Sequence, residues 1–78
     1  MTEEEQIKEA LEILGRQVAM MRKALKLSQE ELSAKSGLSR VLISEVETGK
    51  SNVTYETLIK LSNAFGMALD IRFTNIKS

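Results

Sequence analysis

The sequence has no cysteine and no histidine among its 78 residues. These absences exclude a disulfide scaffold, thiolate or imidazole metal sites, a cysteine nucleophile and any histidine-dependent triad. No cofactor or metal is therefore expected. No run approaches the roughly 18 apolar residues of a membrane span, so no membrane partner is expected. The acidic start Met1-Thr2-Glu3-Glu4-Glu5 has the wrong sign for a signal peptide, which makes the cytoplasm the expected compartment. Excess charge of one sign is also missing, because eleven Lys and Arg balance eleven Asp and Glu. What remains is 42% hydrophobic and 28% charged, too apolar for disorder and too short for more than one domain, 1–78. The paired Glu30 and Glu31 invite a general acid/base reading, but helix capping and the helix dipole account for them. No enzyme is expected.

The distribution of charge says more than its sum. Residues 1–15 set Glu3, Glu4, Glu5, Glu9 and Glu12 against Lys8, a net of −4, which leaves +4 for residues 16–78. Arg16, Arg22, Lys23 and Lys26 cluster. One basic face and one acidic end fit a nucleic-acid partner, though a solvated helix surface would look the same.

Ile7, Leu11, Leu14, Val18, Met21 and Leu25 recur at helical spacing, and Thr2 with Glu5 makes a capping box. The spacing predicts a helix from about Glu3 to Lys26, with Gly15 as a point of weakness costing about 1 kcal/mol. Fewer than four heptads favours core packing over a coiled coil. Ser28 and Glu31 form a second capping box, flanked by Leu27 and Leu32 at the positions of a hydrophobic staple. This predicts a short helix from Gln29 to Ser36, stopped at Gly37. Leu38 and Ser39 then open a third, about Arg40 to Glu47, with Leu38 and Ile43 as its staple. Thr54 caps a fourth that carries Leu58, Leu61 and Phe65 and ends at Gly66. The tail 68–73 alternates, with Leu69, Ile71 and Phe73 on one side, and is expected to be a strand.

Two short helices joined by a tight, glycine-containing turn, with a helix before and after, outline a helix-turn-helix over 28–47. Gly37 can supply the left-handed corner. Leu32, Leu38, Ile43 and Val46 are the expected filling between the two helices. With Ile43 and Val46 inward, about 100° per residue turns Val41, Glu45 and Thr48 outward, with Ser44 at the edge and Arg40 in the first turn. An outward valine beside an arginine suits a DNA groove. The valine can meet a thymine methyl, Arg40 can take guanine O6 and N7, and Glu45 can accept from a cytosine amino group or be balanced by Arg40. Gln29 and Ser39, near helix N-termini, can donate to phosphates.

From Leu14-Gly15-Arg16 to Phe65-Gly66 the chain resembles the Cro/phage-repressor (XRE-type) helix-turn-helix family. The matching pieces are Arg22, Ser28-Gln29-Glu30-Glu31-Leu32, Gly37-Leu38-Ser39, Ile43-Ser44, Glu47-Thr48-Gly49-Lys50 and Leu58 to Phe65. The resemblance implies a mainly α, four-helix, lambda-repressor-like domain that binds double-stranded DNA as a homodimer on a palindromic operator. It implies that Arg22 pairs with Glu47. It also implies that Gln29, Ser39, Lys50 and Asn52 touch phosphates while Arg40, Val41, Ser44 and Glu45 face bases.

The sequence departs from the family at several points. Ser33 and Ser36 stand where more apolar residues are usual and are expected to weaken the core slightly. Val53 replaces a common proline. A strand takes the place of the fifth helix, and a lone strand needs a partner, so Leu69, Asp70, Ile71, Arg72 and Phe73 are the expected dimer interface. A helix-turn-helix with a C-terminal strand is similar to antitoxins of the HipB and HigA kind, which repress their own operons and bind a toxin. The functional expectation is thus a dimeric transcriptional repressor, with an autoregulating antitoxin as the alternative. A restriction–modification controller is a third reading, disfavoured by the strand.

Overall fold

The computed structural model describes residues 1–76 and contains four helices: α1 (Glu3–Ala24), α2 (Gln29–Ser36), α3 (Arg40–Glu47) and α4 (Tyr55–Phe65). Each starts on a side-chain cap, Thr2, Ser28, Ser39 and Thr54 in turn. The first two are full capping boxes, in which Glu5 and Glu31 reach back to the N–H of Thr2 and Ser28. Those backbone hydrogen bonds hold both carboxyls below the usual carboxylate range.

Helix α1 runs through Gly15 without a break. The reason lies in α3. A Cβ built on Gly15 would come within 2.3 Å of the Val46 carbonyl oxygen and 2.7 Å of that of Glu47. Gly15 is therefore a contact surface, where the C-terminal end of α3 rests on the α1 backbone. It is no weak point in the helix. The apolar stripe of α1 is buried only over its middle, at Val18, with Leu14 packed beside it. Ile7 and Leu25, at its ends, stay largely exposed. At 1.5 Å per residue α1 is about 33 Å long, more than the short α2–α4 layer can cover.

Between α2 and α3 the chain turns on Gly37, which takes φ +77°, a backbone conformation that disfavours side chains. Ser33 and Ser36 do more here than loosen the core. The Ser33 hydroxyl donates to the Leu38 carbonyl, and the Ser36 hydroxyl accepts from the Leu38 N–H. Both polar groups of the turn's apolar residue are satisfied by these serines. Beneath the turn, Leu32, Ile43 and Val46 are fully buried, joined by Val18, Leu38 and Leu61. Burial of a side chain of this size contributes about 1.5–3 kcal/mol, which helices of eight residues cannot supply from propensity alone.

The expected strand over 68–73 is not seen. Among the described residues none is in a strand, and those after Gly66 carry no regular element. Strand structure requires a hydrogen-bonded neighbour, and the described residues include no second strand. Leu69 is half-buried along α1 and α4, while Ile71 and Phe73 are exposed.

Candidate nucleic-acid interface

Helix α3 is amphipathic in the simplest sense. Ile43 and Val46 are buried, while Arg40, Val41 and Glu45 are exposed and Ser44 half-exposed on the opposite side. Val41 keeps 64% of its surface open to water, an unusual place for a β-branched apolar residue on a polar face. Ser39 and Arg40 stand at the N-terminal end, and Lys50 and Asn52 are exposed in the loop beyond the C-terminal end. Thr48 is exposed as helical phase predicts, and its hydroxyl donates to the Ser44 carbonyl at 2.9 Å.

The base of α3 is locked. Arg22 donates through Nε to Glu47 Oε2 at 2.7 Å and through Nη2 to Oε1 at 2.9 Å, a two-pronged ion pair. Its remaining Nη1 donates to the Leu27 carbonyl at 2.9 Å, tying in the loop before α2. Burial works against the Glu47 charge, but hydrogen bonds from Arg22 and Gln29 outweigh it and hold the carboxyl below its ordinary range. Arg22 reaches Glu47 as the family resemblance implied. Gln29 opens α2 as expected and also joins the clamp. Its amide nitrogen lies 3.2 Å from Glu47 Oε1, so the clamp already uses one of its two donors.

Arg40 differs from expectation. Its Nε lies 2.8 Å from Glu30 Oε1, at the start of α2, rather than against Glu45. Residues five apart on a helix stand about 140° apart around its axis, too far for side chains to meet. The crossing of the two helices brings their N-terminal ends together instead. No local sequence signal marks the Glu30–Arg40 pair, which depends on the angle of the turn. Glu45 has no ion-pair partner among the described residues. Asp70 and Arg72 of the tail pair with each other at 2.5 Å.

Among the described residues no group of acidic side chains could hold a metal. A family model described as helix-turn-helix matches residues 18–71, the whole of the clamp, the turn and α3. The chain belongs to the helix-turn-helix family. It is a DNA-binding transcriptional regulator of the XRE type, and the family is one of regulators rather than enzymes. The regulator is 38% identical over 56 residues to the HTH-type transcriptional regulator y4dJ of Sinorhizobium fredii, covering 72% of this chain and 73% of that one. It is 43% identical over 58 residues to the control protein C.SmaI of Serratia marcescens, covering 74% and 69%. Its fold is similar to the crystal structure of the restriction–modification controller protein C.AhdI from Aeromonas hydrophila. That match has a TM-score of 0.75 and 35% identity, covering 77% of this chain and 91% of that one.

Proposed function

We propose that the regulator binds a palindromic operator as a homodimer, places α3 of each protomer in the major groove, and represses transcription from the cytoplasm. The observation that carries this reading is the outward face of α3. Arg40, Val41, Ser44 and Glu45 stand free of the core on a helix whose inner face and C-terminal end are fixed. Arg40 offers a guanine two donors, Val41 offers a thymine methyl an apolar contact, and Glu45 offers a cytosine amino group an acceptor. Ser39, Lys50 and Asn52 lie at the two ends of α3, where phosphates flank an inserted helix, and Gln29 keeps one donor for the same purpose. Arg40→Ala is expected to cost about 1–3 kcal/mol on the preferred operator and to flatten discrimination between operators, measured by titration of labelled duplexes. Unchanged selectivity would refute the base-reading assignment.

The dimer is built on the C-terminal arm. Leu69, Ile71 and Phe73 alternate with Asp70 and Arg72, and Phe73 is fully exposed. An antiparallel pairing of the arm with its own copy about Ile71 sets Asp70 opposite Arg72 of the second chain and Leu69 opposite Phe73. The arm also borders a shallow apolar groove of about 230 Å³ lined by Leu14, Met21, Leu58 and Phe65, so one interface can bury both. Half-sites should then lie about one helical turn, or 10–10.5 base pairs, apart. Phe73→Asp should yield monomers in sedimentation and lose tight operator binding while keeping its helical signal. Sedimentation as an intact dimer would move the interface elsewhere.

A restriction–modification controller is the second reading, favoured by the similarity to C.SmaI and C.AhdI. A restriction or modification gene beside this one would decide for the controller.

A further inference from the structure

Arg40 is not a free arm. Its Nε stands 2.8 Å from Glu30 Oε1 in an ion pair, and the Nη1 and Nη2 atoms make no ion pair among the described residues. The two residues stand at the N-terminal ends of two crossing helices, and both side chains are more than half exposed. Water surrounds the pair, so it does little for the fold. A carboxylate on the DNA-facing side also repels phosphates and lowers affinity for any duplex. Its place on that side is explained by a compensating role, which the geometry supplies.

We propose that Glu30 is a positioning residue for base reading: it holds Arg40 by Nε and presents the Nη1–Nη2 edge as a fork that accepts guanine. The inference rests on the reading of α3 as the recognition helix. A guanidinium is planar, with five donors in a fixed arrangement, so fixing one edge orients the others. With its Nε side against the Glu30 carboxylate, the opposite end of the group carries paired donors and no acceptor. Guanine presents two acceptors, O6 and N7, in the major groove, whereas adenine presents one acceptor beside a donor. A held arginine also loses less rotamer freedom on binding than a free one. Glu30 is suited to this task because it stays ionised. A hydrogen bond with its own backbone holds its carboxyl below the usual range, and the Arg40 charge adds to this. Glu31, not Glu30, makes the capping box, so Glu30 can be replaced without unpicking α2.

The test compares the parent, Glu30→Ala, Arg40→Ala and the double variant at one salt concentration. The preferred half-site is first selected from randomised duplexes, and affinities are then measured for all single-base changes and for random-sequence DNA. Arg40→Ala should abolish the preference for guanine at one position. Glu30→Ala should lower that same preference at least fivefold, leave other positions unchanged, and leave affinity for random DNA equal or higher. In the Arg40→Ala background the Glu30 change should add nothing at that position. A retained guanine preference in Glu30→Ala overturns the proposal. So does an equal loss at every position, or an effect that persists without Arg40. If Arg40→Ala itself leaves every preference intact, the recognition-helix reading fails on that variant alone, and the role of Glu30 falls with it.

Discussion

Two arginine–glutamate pairs bracket α3, one at each end, and they differ in burial more than in chemistry. Arg22–Glu47 is shut away, with side chains 12% and 7% exposed, whereas Arg40–Glu30 stands in water at 57% and 67%. The inner pair is two-pronged and joined by Gln29 and the Leu27 carbonyl, so each polar atom removed from water has a partner. Breaking such a pair strands a charge where water cannot reach it. The outer pair adds little to the stability of the fold because water surrounds it. The two ends of one eight-residue helix therefore do different work. The C-terminal end fixes where the helix lies, and the N-terminal end stands in water where it can meet a ligand.

The strongest way to break that division is at Gly15, where the locked end rests on α1. Helix propensity alone says that Gly15→Ala should stabilise α1 by about 1 kcal/mol. Packing says the opposite, because the new methyl would stand 2.3 Å from a backbone oxygen that belongs to another helix. Moving α3 away would open the Arg22–Glu47 clamp as well. Packing should win, with a loss of about 3 kcal/mol or more by chemical denaturation. That is a large part of the total for a chain of this length, about 4–12 kcal/mol. A variant as stable as the parent would mean that α3 does not seat on Gly15.

Glu47→Gln is the next largest perturbation and tests the inner pair directly. The shape is kept but the charge-assisted bonds are lost, so a destabilisation of about 2 kcal/mol is expected in urea unfolding. The substitution should also change the response to acid. The folded-state carboxyl of Glu47 is held below its unfolded value, so its contribution is present above the unfolded value and is lost as pH falls through the folded one. The gap in stability between parent and Glu47→Gln should therefore narrow as pH drops from neutral to below about 4. A gap that stays constant with pH would show that the charge on Glu47 is not what holds α3.

Much of this contrast was legible in the sequence because it depends on local rules. The capping residues Thr2, Ser28, Ser39 and Thr54 each mark a helix start by a hydrogen bond that spans three residues. The bounds of α2 and α3 follow from them, and the buried set Leu32, Leu38, Ile43 and Val46 follows from helical phase. What periodicity could not show was anything set by the angle between helices. Gly15 looks like a helix weakness until α3 is laid across it. Ser33 and Ser36 look like poor core residues until the turn brings Leu38 to their hydroxyls. Arg40 looks free to turn to Glu45, yet the crossing of α2 and α3 gives it Glu30. The arm 68–73 has the alternation of a strand, but alternation cannot supply the second strand that the ladder needs.

The smallest expected effect lies just past the locked end, at Lys50. Its backbone N–H donates to the Glu45 carbonyl at 2.9 Å, so the position of the residue is set by the last turn of α3. Its side chain is exposed. A lysine held in this way can neutralise one phosphate beside the groove without touching a base, which makes its contribution independent of sequence. Lys50→Ala should weaken binding to the preferred operator and to random duplexes by the same factor. The slope of log affinity against log salt should fall by about one in each case. Base preferences at every position should stay as they were, in contrast to Arg40→Ala at the other end of the helix. A change in base preference would place Lys50 among the reading residues and erase the distinction between the two ends. An unchanged salt slope would mean that the loop after α3 lies clear of the DNA backbone, and that the N-terminal end alone approaches the duplex.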